Sequence, residues 1–458
     1  MPNKRTQQQS SRRAHAPALG MALVAAVAAA SLVVACGEST ANLLTVVNPN
    51  AVSSNIYQNP AEATLMVNSV IGDFECAYGG FVEAEGLLTD ELHDATLANQ
   101  GWYTDRRDED YTTSSIGGTN GCTATQGSVY TPLSTARQEA DRALNSLSGW
   151  TTAQVPTLSS LTAQTNLYAG FSYATLGMAM CQAAFDLGPL VSQSGMFALA
   201  EARFTSAIAA AQAAGLTSVL SAAYVGRARV RLYQHNTAGA IADAQLVPAG
   251  FVLNAGADAT NARRYSHIYN SVAQGGVATV ELVSRALTTE NGQLDPRAAV
   301  IKLNTASADA GLNQIYIPTK YNAASLNAGL ALPIPIARYA EAQLILAEAQ
   351  GGAAAVTIIN AMRAAVPLQP YVGLTDATSI KNLIAGERQR ALFVEGFRAF
   401  DVERLNLPLV PAVGSPYLQG GTYGGTVCFP LQQIETGNNP NIDQTKIITG
   451  VQGQFPLP

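Results

Sequence analysis

The sequence predicts a mainly all-α protein: a scaffold of helix pairs, overlaid by loop-rich insertions and carrying few short strands. Three observations carry this expectation. Apolar residues recur at helical spacing through most of the chain, and Gly and Pro punctuate those runs. The helical pattern fades over only one long stretch, 251–332. The chain is 48% hydrophobic and 13% charged, so 458 residues can bury a large core.

Residues 1–35 read as a targeting segment rather than part of the fold. Lys4, Arg5, Arg12 and Arg13 form a basic start with no acidic residue, and a run of mostly Ala, Val and Leu follows from Ala16 to Ala35. This order of basic, apolar and small residues is that of a signal peptide. The segment ends Val33-Val34-Ala35-Cys36-Gly37, which resembles a bacterial lipobox, with Cys36 as the lipidated residue after cleavage. An uncleaved membrane span is the competing reading; the mild apolarity of Ala and the position of Cys36 favour the lipoprotein. Residues 36–59, rich in Ser, Thr, Asn and Val, then read as a tether, and 60–458 as the folded domain.

Removing the first 35 residues, with four basic and no acidic groups, takes the formal charge from −6 to −10. So acidic a body argues against nucleic acid as a partner. Besides Cys36 it keeps Cys76, Cys122, Cys181 and Cys428, none in a CxxC pair, which argues against a zinc site. Two disulfides are expected in an exported chain. Three connectivities are open; the pairing preferred here is Cys76 with Cys122 and Cys181 with Cys428.

Helices are expected over Pro60–Cys76, Ser128–Leu147 and Leu161–Leu187, the last stopped by Pro189. Between Leu199 and Pro248 three shorter helices follow, broken at Gly215 and at His235-Asn236, with Thr237 as a candidate cap. Tyr224, Ala228, Ala240 and Ala244 fall where a tetratricopeptide-like repeat places one bulky and several small residues, so that paired helices can touch. In the 251–332 stretch, Val277–Val283 and Gln314–Pro318 read as short strands or extended loops. Helix is expected again from Pro335, with a stripe of Ile336, Tyr339, Ala340, Leu344 and Ala347. Further helices are expected over Val356–Ala365 and Ser379–Glu395. The tail from Pro408 is rich in Pro and Gly, and Gly420–Gly425 reads as a flexible loop.

The C-terminal third carries an ordered set of motifs. Arg338-Tyr339-Ala340-Glu341 leads to Leu346-Ala347-Glu348-Ala349. Ile359-Asn360-Ala361-Met362-Arg363 follows, and then a continuous block from Glu387-Arg388 to Glu395-Gly396-Phe397-Arg398, Asp401 and Arg404. This set resembles the SusD/RagB family of nutrient-binding outer-membrane lipoproteins, with Ala391 standing where many members carry a glutamate. Thr89-Asp90-Glu91 is similar to a further family segment. The resemblance implies one tetratricopeptide-like domain whose loops form a ligand surface. It also implies a cell-surface, outer-membrane location, and a SusC-like TonB-dependent transporter as partner that receives the captured oligosaccharide or peptide. The charges of the Glu387–Arg404 block are expected to hold the scaffold, since ion-pair networks often mimic functional sites.

Trp102 and Tyr103, with Arg106, Asp108 and Tyr111, are the candidate ligand-binding residues. Sugars present apolar ring faces that stack on aromatics, and hydroxyls that bond to Arg and Asp. The competing reading is an aromatic pinned under a loop. Signals for catalysis are thin: His93, His235 and His267 lack metal-protease spacing, and neither a GxSxG elbow nor a phosphate-binding GxxxxGK loop occurs. No catalytic residue, cofactor or metal is therefore expected, and the chain reads as a non-enzyme. Two other classes stay open: a surface glycan hydrolase or lyase, and a tetratricopeptide-like outer-membrane assembly lipoprotein.

Overall fold

The computed structural model describes residues 54–96, 102–108, 122, 129–305 and 314–453. The targeting segment, Cys36 and most of the expected tether lie outside these residues. The end of that tether, Ser54–Gln58, forms a 3-10 turn with Ile56 buried. Asn55–Pro458 is one compact unit. Among the described residues no helix is long and apolar enough to cross a membrane.

The first helix, α1, spans Ala63–Leu88, twelve residues beyond the expected end at Cys76. Its second half, buried almost continuously from Phe74 to Leu88, has no wet face for periodicity to reveal. It leads through Thr89-Asp90-Glu91 into strand β1, Leu92–Asp94. A one-turn helix α2, Trp102–Asp105, precedes α3, Tyr130–Ser148, and α4, Leu158–Ala179. The chain then forms a hairpin of β2, Gln182–Ala184, and β3, Leu190–Ser192; the expected helix to Leu187 ends eight residues early.

Helices α5, Gln193–Ala214, α6, Thr217–Tyr233, and α7, Thr237–Ala244, follow on short connections that fold each helix back on the last. The Ser192 hydroxyl caps α5 and Gly215, at φ +69°, ends it, a conformation that suits glycine. Asn236, not Thr237, caps α7: its side chain accepts from the Gly239 N–H. The small residues do what their spacing implied. Ala228, Ala240 and Ala244 are fully buried, and the Phe204 ring wedges against Gly170 of α4 and Gly226 of α6.

The loop-rich stretch holds β4, Val252–Ala255, β5, Ala278–Val280, β6, Val300–Lys302, and β7, Tyr316–Pro318. A short helix α8, Leu326–Leu330, precedes β8, Ile334–Arg338. Here the structure corrects the sequence expectation: Ile336 lies on a strand paired with β4, and the helix starts at Tyr339. Pro335 lacks a backbone N–H, and pairing with β4 holds the segment extended. The four sheets among the described residues are antiparallel and two-stranded; the β1–β5 pair aligns Leu92 with Val280, His93 with Thr279 and Asp94 with Ala278.

Helices α9, Tyr339–Gln350, α10, Gly352–Ala364, α11, Ala377–Ala391, and α12, Arg398–Arg404, continue the stack, and α13, Gln433–Asn438, closes it. The α11 helix stops at Ala391 rather than Glu395, because Val394 and Gly396 both take positive φ. At Gly396 an added Cβ would fall 2.6 Å from the Phe81 ring of α1, so the turn tolerates only glycine. Cys76 is bonded to Cys122 and Cys181 to Cys428.

Candidate ligand-binding site

The charged residues of the C-terminal motifs form a buried ion-pair network among α9, α10, α11 and α12. Glu387 accepts from Arg363 and Arg297 at 2.7 Å each and from Arg390 at 2.8 Å. Burial alone would raise its carboxyl, but the three guanidinium groups outweigh that and hold it below its ordinary range. Asp401 bonds to Arg388 at 2.6 Å and Arg404 at 2.7 Å, and Arg404 also grips Glu348. Arg229 of α6 meets Glu341 at 2.6 Å, and Glu395 joins Arg338 at 2.9 Å to Lys320 at 2.5 Å. Asn360 acts locally, exchanging two hydrogen bonds with the backbone of Tyr371.

This network reaches the ligand candidates through Thr89-Asp90-Glu91. Both guanidinium arms of Arg398 bond Asp90, at 2.7 and 2.9 Å, and the Val394 N–H donates to Glu91 at 3.0 Å. The next residues are β1, whose Asp94 N–H donates to Asp105 at the end of α2 at 2.7 Å. The scaffold motif therefore fixes the strand, and the strand fixes the candidate segment.

That segment is compact. The Arg107 N–H bonds the Thr104 carbonyl and the Asp108 N–H bonds the Tyr103 carbonyl, both at 2.9 Å, and Arg107 takes φ +54°. Arg106 lies 5.3 Å from the Tyr103 ring centroid and 5.9 Å from that of Tyr417, cation–π distances. Its guanidinium also reaches Asp108 and the Gly420 carbonyl, at 3.4 Å each. Those two bonds are long, and the Asp108 side chain is 65% exposed, so both groups keep capacity for an outside partner. Tyr111 lies outside the described residues, as does the side chain of Trp102.

The structure adds residues that the sequence did not single out. Arg107 is buried and donates to the carbonyls of Val410, Pro411 and Gly424, with its guanidinium 4.8 Å from the Tyr423 ring centroid. Gly420–Gly425, expected as a flexible loop, is tied down: the Gly424 N–H donates to Arg106 at 2.6 Å and the Tyr417 N–H to Gly421 at 3.0 Å. A Cβ on Gly424 would meet the Arg107 carbonyl at 2.2 Å, so glycine here permits a close backbone approach.

Beneath the segment lies a buried polar cluster. The Tyr417 hydroxyl donates to Asp105 at 2.9 Å, and His93 Nδ1 stands 3.0 Å from Asp105 and 3.1 Å from Glu281. Burial pushes the carboxyl of Asp105 up to about 7 and that of Asp94 up to about 6. Burial opposes charge on His93, but Glu281 and Asp105 outweigh it and raise its pKa; in turn His93 holds Glu281 low despite burial. The sequence placed Glu281 in an extended segment and His93 just after the Thr-Asp-Glu motif. Only strand pairing brings them together.

A separate cavity of about 510 Å³ lies over α9 and α10, lined by Lys320, Arg338, Tyr339, Met362, Val366 and Glu395 among others. Its lining includes no residue of the Trp102–Asp108 segment.

Comparison with known proteins agrees with this architecture. The SusD family model matches residues 263–448, a span that includes every motif of the C-terminal block. Over that span the chain is similar to the SusD/RagB family. Likeness of fold extends beyond the matched span. A SusD superfamily protein from Bacteroides vulgatus superposes with a TM-score of 0.61 at 16% identity, covering 84% of this chain and 98% of its own. A surface glycan-binding protein A from Bacteroides uniformis gives 0.62 at 14% identity, over 83% and 98% of the two chains. A laminarin-binding SusD-like protein gives 0.56 at 16% identity, over 84% and 98%. No curated protein matches the chain significantly.

Proposed function

We propose that this SusD-like protein captures an oligosaccharide at the cell surface and hands it to a SusC-like TonB-dependent outer-membrane transporter. The observation that carries the proposal is the Arg106–Tyr103–Tyr417 cluster. The half-buried Tyr103 and Arg106, backed by the buried Tyr417, sit on a segment pinned to β1 through the Asp105 carboxylate and to the Gly420–Gly424 turn by a backbone bond. Such a patch offers stacking faces and directional donors without first having to be ordered, so little affinity is lost to entropy. The names of two similar structures, one laminarin-binding and one glycan-binding, support a glycan over a peptide.

Glycan-array and calorimetric binding with purified protein tests this. Wild type is expected to bind at least one oligosaccharide without releasing shorter products. Trp102→Ala and Arg106→Ala are each expected to weaken binding roughly tenfold or more, as for loss of about 1.4 kcal/mol. Product release would point instead to a hydrolase or lyase, and undiminished binding by both variants would remove the segment from the site.

The anchor has its own test. With Cys36 lipidated, the body stays at high local concentration beside its transporter. Cys36→Ser is expected to release a protein that still binds glycan but no longer supports growth on it. Normal growth of that strain would show that the lipid does not hold the protein in place.

A further inference from the structure

We propose that His93, Asp105 and Glu281 form a binding site for a divalent first-row transition metal of the zinc type, which clamps the Trp102–Asp108 segment to the β1–β5 strand pair. The three residues come from three places: β1, the end of α2, and the residue after β5. His93 and Asp105 are buried and the Glu281 side chain is 12% exposed, and one donor atom from each lies within 4.8 Å of the others.

The geometry at His93 is the first argument. Its Nδ1 stands 3.0 Å from Asp105 and 3.1 Å from Glu281, yet neither contact is aligned as a hydrogen bond. The imidazole is only 6% exposed, its Nε2 has no hydrogen-bond partner among the described residues, and its Nδ1 faces only the two carboxylates. Buried polar atoms rarely go without a partner. Oxygens set to the side of the nitrogen's axis are placed as donors that converge on a shared point. An ion about 2.1 Å from each donor would see such separations at roughly 90–95°, so tetrahedral zinc would draw the donors about 0.3–0.4 Å further apart.

The surroundings are the second argument. Ligands of a metal site are held by outer hydrogen bonds, and these are present. The Asp94 N–H and the Tyr417 hydroxyl both donate to Asp105 Oδ2, the oxygen that faces His93, and the Leu282 N–H donates to Glu281 Oε1 at 2.6 Å, leaving Oε2 toward the imidazole. The His93 ring also rests against Tyr417, centroids 5.5 Å apart, which limits its rotation. One imidazole with two carboxylates suits zinc or a neighbouring first-row metal. Calcium prefers six to eight oxygens. The other three-residue cluster of this kind among the described residues, around His267, uses Cys76 and Cys122, whose sulfurs are already bonded to each other. The clamp does not depend on what the segment above it binds.

The test uses the whole mature protein, stripped with EDTA and then exposed to Zn²⁺ or Ca²⁺ alone. One equivalent of Zn²⁺ per chain is expected by elemental analysis. Zn²⁺ at a hundredfold excess over its dissociation constant should raise the melting temperature by about 3 °C, and Ca²⁺ should not. Asp105→Asn and Glu281→Gln should abolish both effects while keeping the helical circular-dichroism spectrum. If either variant fails to fold, X-ray absorption at the zinc edge of loaded wild type decides. One imidazole with oxygen neighbours supports the site, and a sulfur neighbour overturns it. Absence of stoichiometric zinc, a response to calcium alone, or zinc binding unchanged in folded variants also overturns it; the cluster is then a charged imidazole bracketed by two carboxylates.

Discussion

At the scale of the residue, buried charge divides into two kinds. Glu387 and Asp401 each face several guanidinium groups and are held ionised. Glu403 has no such partner: burial pushes its carboxyl up to about 7, and Gln193 offers a single hydrogen bond at 3.1 Å. A carboxyl whose folded pKa lies above its unfolded value favours folding while protonated. That contribution is fully present below about pH 4.5 and is lost as pH rises through about 7, and its size is at most about 3 kcal/mol. Glu403→Gln, which mimics the neutral form, is therefore expected to raise the melting temperature at pH 8 by a few degrees and to change little at pH 5. Melting curves across this range check it; a variant with the wild-type pH dependence would show that Glu403 contributes nothing to it.

At the scale of the element, the helix stack depends on where side chains are absent. Phe204 of α5 packs edge-on to Phe171 with ring centroids 5.0 Å apart, and an added Cβ on Gly226 would approach its ring to 2.4 Å. Gly226→Ala is thus expected to cost about 1–3 kcal/mol through overpacking, more than the ~1 kcal/mol that alanine gains in a helix. Gly72 of α1 is the control, since nothing lies within 4 Å of an added Cβ there. Gly72→Ala should stabilise by roughly 0.5–1 kcal/mol. Urea titration of both variants tests the pair; equal signs would refute the account. The small residues were visible in the sequence, but the ring they admit was not, because Phe204 comes from a different helix.

At the scale of the whole molecule, the closing segment is joined to the helical body by one covalent cross-link among many hydrogen bonds. The Cys181–Cys428 disulfide spans 247 residues, beside backbone bonds from Phe429 to Ala179 at 2.8 Å and from Cys181 to Phe429 at 2.9 Å. A cross-link over so long a loop restricts the unfolded chain strongly. Replacing both cysteines by serine is expected to lower stability by about 2–5 kcal/mol, read as an earlier urea midpoint with unchanged far-ultraviolet dichroism. An unchanged midpoint would mean that the backbone bonds alone secure the segment.

What the sequence determined by itself was local or linear. Helical periodicity and its breakers gave the all-α scaffold, and the ordered motifs from Arg338 to Arg404 gave the family resemblance. It misjudged the ends of α1 and α4 because their buried stretches are apolar on every face, so period no longer marks where helix stops, and it missed the Pro335 strand because pairing with β4 sets that segment. The tertiary structure alone decided the partners. Glu387 collects arginines from the 3-10 turn Pro296–Ala298, from α10 and from α11 itself, and Asp90 answers to Arg398, 308 positions away. His93, Asp105 and Glu281 meet only because β1 pairs with β5 and α2 lies across their edge. Contacts of that range carry no trace in spacing, since any one residue's neighbours are set by how the whole chain closes around its core.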